Sequence, residues 1–207
     1  MRKIVSFVTL LLVFSAFVMT ACSAPPSTVP ATEAAAAPSE SAASPSPSAS
    51  SAKSTSAQID DSLLLDPWKL EDFSDVADMR NYLFYYSNPE NKNAYIIMTQ
   101  ADHYEDRSDD LTQELKRNVD TYINQTLKGS MKESSATQPV YYEIDGYPAA
   151  SFDVTGTLQD GSEAFTARTV FVATDKKIYC LQLQDSTEHF DQSSSLFDQV
   201  KDSLTIA

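Results

Sequence analysis

The densest group of chemically capable side chains is the segment ADHYEDRSDD, residues 101–110. Its five carboxylates and one imidazole are Asp102, His103, Glu105, Asp106, Asp109 and Asp110. Carboxylate oxygens suit calcium or manganese, and an imidazole nitrogen would admit zinc, so the first four are candidate metal ligands. The alternative is a solvated acidic loop that caps the next helix, with Arg107 neutralising part of its charge. We favour this alternative because the spacing lacks the turn glycine and closing glutamate of an EF-hand.

Other catalytic patterns are missing from the sequence. The chain has two histidines, His103 and His189, and it has no phosphate loop, paired-cysteine metal motif, HExxH or GxSxG stretch. No serine has a supporting context. The separation of paired carboxylates, on which glycoside hydrolysis depends, is a property of the fold, so the sequence leaves that chemistry open. We expect the protein not to be an enzyme and to need no dissociable cofactor.

Cys22 is one of only two cysteines, and it follows an apolar run. Basic residues 2–3 precede the apolar residues 4–19, which is the layout of a secretory signal. The run is slightly short for a membrane-spanning helix. It closes with MTAC, whose two small residues directly before the cysteine resemble the lipobox of bacterial lipoproteins.

The lipobox resemblance implies that a peptidase removes residues 1–21 and that Cys22 carries a thioether-linked diacylglycerol, with fatty acids such as palmitate. Two or three acyl chains, at about 0.8 kcal/mol per buried methylene, hold a protein on a membrane. The expected location is extracytoplasmic, on a cell membrane or an outer membrane. An ordinary signal peptide with a chance cysteine, or an uncleaved anchor helix, would be the alternatives.

Residues 22–57 form a tether in this interpretation, because Ala, Ser and Pro dominate them and aromatic residues are absent. Such a segment cannot bury enough apolar surface to offset its chain entropy, so we expect disorder over a span of about 30–35 Å. Residues 58–207 then form a single domain. The formal net charge of the whole chain is −14, which argues against nucleic acid and against direct docking on anionic lipid.

The domain's pattern predicts an α+β fold, a central and mostly antiparallel β-sheet covered by helices in an α/β/α sandwich. One helix is expected around residues 109–129, from apolar residues that keep one face, and a second over roughly 187–204. Strands alternate around turns at residues 88–92, at Asp145-Gly146 and near Asp175-Lys176. His189 is expected to be exposed at the start of the last helix.

Eight aromatic residues could line a groove or pack beneath the helices. They are Tyr82, Phe84, Tyr85, Tyr86, Tyr95, Tyr141, Tyr142 and Tyr147. Neighbours along a strand point to opposite faces, and we favour packing under helices because two amphipathic helices need a surface to cover. Cys180, inside the strand pattern KKIYCLQLQ, is expected to be a small buried side chain rather than a reactive thiol.

Three stretches resemble the PsbP-like family: IDGYPAASFDVTG, DKKIYCLQLQ and FDQVKDSLTI. The resemblance covers roughly residues 82–206, and the turn Asp145, Gly146, Pro148 and Ala149 is its most specific part. The preceding DPWKLEDFSD is similar to the family's entry strand only through its proline and tryptophan. The resemblance implies a central antiparallel sheet between helices and, for function, extrinsic non-catalytic subunits of membrane complexes.

The sequence therefore predicts a bacterial lipoprotein whose PsbP-like domain is a non-catalytic binding or accessory module for an envelope complex. Its expected partners are membrane lipid, through the Cys22 anchor, and an envelope protein, with no nucleic acid. The alternative is an envelope protein that binds a metal or small ligand through the acidic loop 101–110.

Overall fold

A computed structural model describes residues 56–73, 81–159, 161 and 163–207. The predicted signal segment, Cys22 and nearly all of the predicted tether lie outside these residues. The described chain begins one residue before a short strand, β1, so Ala57 belongs to the folded domain rather than to the tether.

An antiparallel sheet of eight strands forms the centre of the domain. Its strands are β2 (Lys69–Leu70), β3 (Tyr82–Asn88), β4 (Asn91–Asp102), β5 (Met131–Ala136), β6 (Val140–Ile144), β7 (Tyr147–Leu158), β8 (Ala164–Ala173) and β9 (Lys177–Ser186). Their order is β2-β3-β4-β9-β8-β7-β5, and β6 pairs with the other half of β7. The two short strands β5 and β6 thus lie end to end along the same edge of the long strand β7.

The first predicted helix is confirmed. It comprises α1 (Leu111–Thr121), a π-helical turn (Tyr122–Thr126) and the short α2 (Leu127–Ser130). Asp110 caps it, because its Oδ1 accepts a hydrogen bond from Thr112 N at 2.8 Å. The predicted apolar positions Leu115 and Val119 are completely buried against the sheet.

The second predicted helix, α3 (Phe190–Asp202), covers the opposite face of the sheet. Arg168 of β8 connects it to the sheet, since its guanidinium donates to Asp153 on β7 at 3.0 Å and to Asp198 on α3 at 2.5 Å. After α3 the chain forms β10 (Thr205–Ile206), which pairs antiparallel with β1 (Ala57–Gln58). The first and last described strands, β1 and β10, are therefore direct neighbours.

Two separate cores lie on the two faces of the sheet, as the alternation of side chains along strands requires. Ala149 packs in the α3 core and Ala150 in the α1 core. The α/β/α sandwich is thereby confirmed. The predicted turn also holds: Asp145 and Gly146 have φ of 51° and 80°, the left-handed conformation that a two-residue hairpin needs.

Candidate functional site

The acidic loop does not gather its carboxylates around one point. Asp102 forms an ion pair with Lys177 at 2.6 Å, and Asp106 forms another with Arg117 at 2.8 Å. Glu105 is exposed. Over the described residues, no group of three or more His, Cys, Asp or Glu side chains is arranged to hold a metal ion. Two of the candidate ligands, Asp102 and Asp106, are thus paired with separate cations.

Two residues of the loop contact α1, Asp110 at its start and Asp106 through Arg117 in its second turn. The Asp110 cap lowers the pKa of that carboxyl, chiefly through the hydrogen bond from Thr112 N. The hydrogen bond from Arg117 likewise lowers the pKa of Asp106. Arg107, which was expected to neutralise part of the loop's charge, donates to the backbone carbonyl of Asp175 at 2.5 Å. The ion pairs found for the loop's carboxylates are made by Lys177 and Arg117. This arrangement matches the capping-loop interpretation of the segment.

His103 points away from the loop and into the protein. Its Nε2 lies 2.7 Å from the carbonyl oxygen of Thr174, and its Nδ1 lies 3.7 Å from Oε1 of Glu114. Glu114 is completely buried on α1, where Asn118 Nδ2 donates to its Oε1 at 3.1 Å. The sequence analysis missed Glu114, because a helical glutamate one turn from polar neighbours carries no signal of burial.

The aromatic residues of β3 are divided between the two faces by a β-bulge. Tyr82 lies opposite Thr99 and Phe84 opposite Met98, so the strand gains one residue between them. Tyr82 and Tyr85 consequently share the α1 face, while Phe84 and Tyr86 pack against the α3 core. Tyr82 and Tyr85 are buried in a cluster with Tyr95, Ile97 and Phe73, none of which belongs to a helix, so packing beneath a helix stays a prediction for them; Tyr141 on β6 is exposed.

A buried hydrogen-bond network lies on the α1 face. The Tyr95 hydroxyl donates to Gln184 Oε1 at 2.5 Å, and Gln182 Nε2 donates to the same oxygen at 3.2 Å. Burial raises the pKa of Tyr82 to about 12 and that of Tyr95 well above its usual value. These hydroxyls are therefore neutral at any physiological pH. The signal in the sequence was the pattern CLQLQ, which places both glutamines on the Cys180 face of a buried strand.

Cys180 is a free and buried cysteine, as expected. Its side chain lies on β9 in the α1 core, and burial raises the pKa of its thiol far above the usual range. A thiol held neutral and away from solvent is a poor nucleophile. Cys180 therefore acts as an apolar core residue.

Comparisons with known proteins place the fold. No family model and no curated protein sequence matches the chain. The solution structure of cyanobacterial PsbP (CyanoP) from Synechocystis sp. PCC 6803 superposes with a TM-score of 0.51 at 12% identity, covering 78% of this chain and 98% of that one. LpqN, involved in cell envelope biogenesis of Mycobacterium tuberculosis, superposes with a TM-score of 0.52 at 13% identity, covering 74% of this chain and 84% of that one. The fold is PsbP-like.

The turn that carried the family resemblance has a structural role in this PsbP-like domain. Asp145 Oδ2 accepts a hydrogen bond from Ile206 N at 2.8 Å, so the β6–β7 turn is attached to the C-terminal strand β10. Ala149 and Ala150 follow on β7 with no exposed surface. The residues of this motif therefore hold the β6–β7 hairpin and β10 together. None of the described helices is long and apolar enough to cross a membrane.

Proposed function

We propose that this chain is an extracytoplasmic lipoprotein, anchored through a diacylglycerol on Cys22, whose PsbP-like domain is a non-catalytic accessory module of an envelope complex. The lipobox-like MTAC segment supports the anchor. The fold that this domain shares with an envelope-biogenesis protein, LpqN, supports the accessory role. Neither the lipobox-like segment nor the shared fold identifies a partner or a substrate, so the partner has to be found by experiment.

The observation that carries the accessory role is the position of the exposed apolar side chains. Within the described part of the chain, the large apolar residues that remain exposed are Leu65, Leu70, Val140 and Tyr141. Leu70 lies in β2 and the last two in β6, the strands at opposite edges of the sheet. Among the described strands, β6 pairs with β7 alone, so its outer backbone groups face away from the sheet. An apolar edge strand of this kind is suited to pairing with another protein.

The anchor is tested separately from the module. Cells given a clickable palmitate analogue should incorporate it into the wild-type protein and not into Cys22→Ser, with Cys180→Ser as the matched control that keeps the label. Equal labelling of wild type and Cys22→Ser would remove the anchor from the proposal. Loss of the label in Cys180→Ser would mean that the palmitate analogue is attached to Cys180 and not to Cys22.

The module is tested by crosslinking in intact cells. The wild-type protein should capture one envelope protein reproducibly, and Cys22→Ser should lose it. The double variant Val140→Ser/Tyr141→Ser should weaken the capture, whereas Lys92→Ser, an exposed residue of β4, should not. Turnover of a defined substrate by the purified protein would overturn the non-catalytic role. If no partner appears, a thermal-shift screen with calcium, manganese and zinc tests the alternative in which residues 101–110 bind an ion.

A further inference from the structure

A group of neutral polar side chains lies on the α1 face of the sheet, where a core would ordinarily be apolar. We call Tyr82, Tyr95, Thr169, Gln182 and Gln184 the polar cluster. They come from four adjacent strands, β3, β4, β8 and β9.

The strand register brings these side chains together. Gln182 lies directly opposite Thr169 on β8 and opposite Ile97 on β4, and Tyr95 lies opposite Gln184. Tyr82 is one strand further out, opposite Thr99 of β4, which in turn lies opposite Cys180 of β9. The exposed fractions are 8% for Tyr82, 0% for Thr169 and 3% for Gln182. The cluster is therefore a site closed to bulk solvent.

One strong hydrogen-bond acceptor of the cluster receives no hydrogen bond from the described residues. Gln182 directs its amide nitrogen to Gln184 Oε1 at 3.2 Å and to the Tyr95 hydroxyl at 3.5 Å. Its own Oε1 is buried and has no hydrogen-bond partner among the described residues. In this orientation the nitrogen of Gln182, not its oxygen, faces the oxygen of Gln184.

Two hydroxyl groups of the cluster are in a similar position. The Tyr82 hydroxyl is buried and makes no hydrogen bond to any described residue. The Thr169 hydroxyl interacts with the Tyr122 hydroxyl, although not in the geometry of an ordinary hydrogen bond. Groups left in this state are costly, and buried polar atoms in folded proteins almost always have a partner.

We propose that the polar cluster binds a neutral, hydroxyl-bearing ligand. A hydroxyl group can donate to an acceptor such as Gln182 Oε1 and can accept from a donor such as the Tyr82 hydroxyl, which neither a simple anion nor a simple cation can do. Ordered water and the hydroxyl group of a small organic molecule are two sources of this same chemistry. Nothing in the proposed accessory role requires this site.

The surroundings of the cluster favour a neutral ligand over an ion. Burial holds the Tyr82, Tyr95 and Cys180 side chains in their neutral forms. A charged ligand entering this environment would lose its hydration without gaining an opposite charge from these groups, which is strongly unfavourable. A neutral hydroxyl loses far less on entry, and its hydrogen bonds to the cluster replace those to solvent.

The test uses two deletions of the proposed contacts in the full-length protein in detergent. Tyr82→Phe removes only a hydroxyl, and Gln182→Met removes the amide while keeping the side-chain length. If the ligand is bound, each variant should lower the melting temperature by about 3–5 °C, since a satisfied buried group is lost. Tyr95→Phe, which breaks the bond to Gln184, is the positive control, and Tyr141→Phe at an exposed ring should leave the melting temperature unchanged.

A crystal structure at a resolution that shows water provides the second measurement. Density within hydrogen-bond distance of Gln182 Oε1 in the wild type, absent from Gln182→Met, is the expected result. Native mass spectrometry then separates the sources, because a retained organic ligand adds a fixed mass and water does not. Either an unchanged or higher melting temperature for Tyr82→Phe, or the lack of such density, overturns the proposal. The first result would mean that the Tyr82 hydroxyl has no partner in the folded protein, and the second that Gln182 Oε1 has none.

Discussion

Glu114 and Asn118, one turn apart on α1, bond to each other inside the protein, with Asn118 Nδ2 donating to Glu114 Oε1 at 3.1 Å. The backbone N–H of Ser108 approaches the other carboxylate oxygen at 3.4 Å, and Nδ1 of His103 lies 3.7 Å from Oε1. One buried carboxylate thus connects the acidic loop, the helix and the strand end. The loop before α1 is therefore held in place by Glu114 from inside.

Glu114→Gln should destabilise the protein by about 1–3 kcal/mol, because the new amide would set a donor against donors that now face an oxygen. Urea unfolding should show a lower midpoint with an unchanged slope. Glu105→Gln, the same change at an exposed position of the loop, is the matched control. Equal midpoints for the two variants would mean that the buried carboxylate contributes nothing.

Asp110→Ala should destabilise the helix start through loss of the cap. The folded-state pKa of Asp110 lies below its unfolded value, so its contribution is complete above the unfolded pKa and is lost as the pH falls through the folded pKa. The stability difference between wild type and variant should accordingly be large at pH 7 and shrink on acidification below about pH 4. A difference that stays constant down to pH 2 would contradict the role of the charged cap, and Asp109→Ala provides the control.

Arg168→Met should weaken the attachment of α3 to the sheet, because the guanidinium bridges Asp153 and Asp198 and lies 5.6 Å from the centre of the Phe190 ring. A loss of about 1–3 kcal/mol is expected, since the Arg168 side chain is only 17% exposed and Asp153 would lose its ion pair, whereas Asp198 would keep the one with Lys201 at 3.5 Å. Chemical denaturation followed by circular dichroism measures it. Lys92→Met, a lysine exposed on β4, should change stability by less than about 0.5 kcal/mol; a comparable loss there would show that the effect is not specific to the bridge.

Two glycine-to-alanine changes should act in opposite directions. At Gly156 a Cβ would lie 2.6 Å from Met131 Sδ and 3.3 Å from the Glu133 carbonyl oxygen, so Gly156→Ala should cost about 1–3 kcal/mol through overpacking. At Gly129, in the helical turn α2, a Cβ would meet nothing within 4 Å, and Gly129→Ala should stabilise by up to about 1 kcal/mol. Melting temperatures of both variants against wild type test the pair. A stabilised Gly156→Ala would show that Met131 moves aside without cost.

Local patterns in the sequence were sufficient for the helices and the hairpins. Leu115 and Val119 fixed the buried face of α1, and Asp145-Gly146 fixed the β6–β7 turn, because both depend on neighbours a few residues away. Strand β5 was missed, since MKESSA is mostly polar and, among the described strands, pairs with β7 alone. A segment of that composition becomes a strand because it pairs with β7, and its own β-propensity is too low to predict it.

The contacts between buried polar side chains could not be predicted, because they depend on strand register, which cannot be read from the sequence. His103 meets Thr174, and Gln182 meets Thr169 and Tyr95, only because β4, β8 and β9 align in one particular way. A shift of one residue would send each of these side chains to the other face. The bulge in β3, which places Tyr82 beside Tyr85, is likewise invisible in a run of aromatic residues.

Ser56 and Ala207 exchange two backbone hydrogen bonds, at 2.8 and 2.9 Å, so the two ends of the folded domain are adjacent. Adjacent ends make the domain a candidate for circular permutation, in which a short linker joins Ala207 to Ser56 and new termini open at the exposed turn Pro89-Glu90 between β3 and β4. Since the strand register places this turn at the end of the sheet away from Asp145 and β10, a permuted chain would let the tether leave the domain from the opposite end of the sheet. The point at which the tether joins the domain could then be changed without changing the fold.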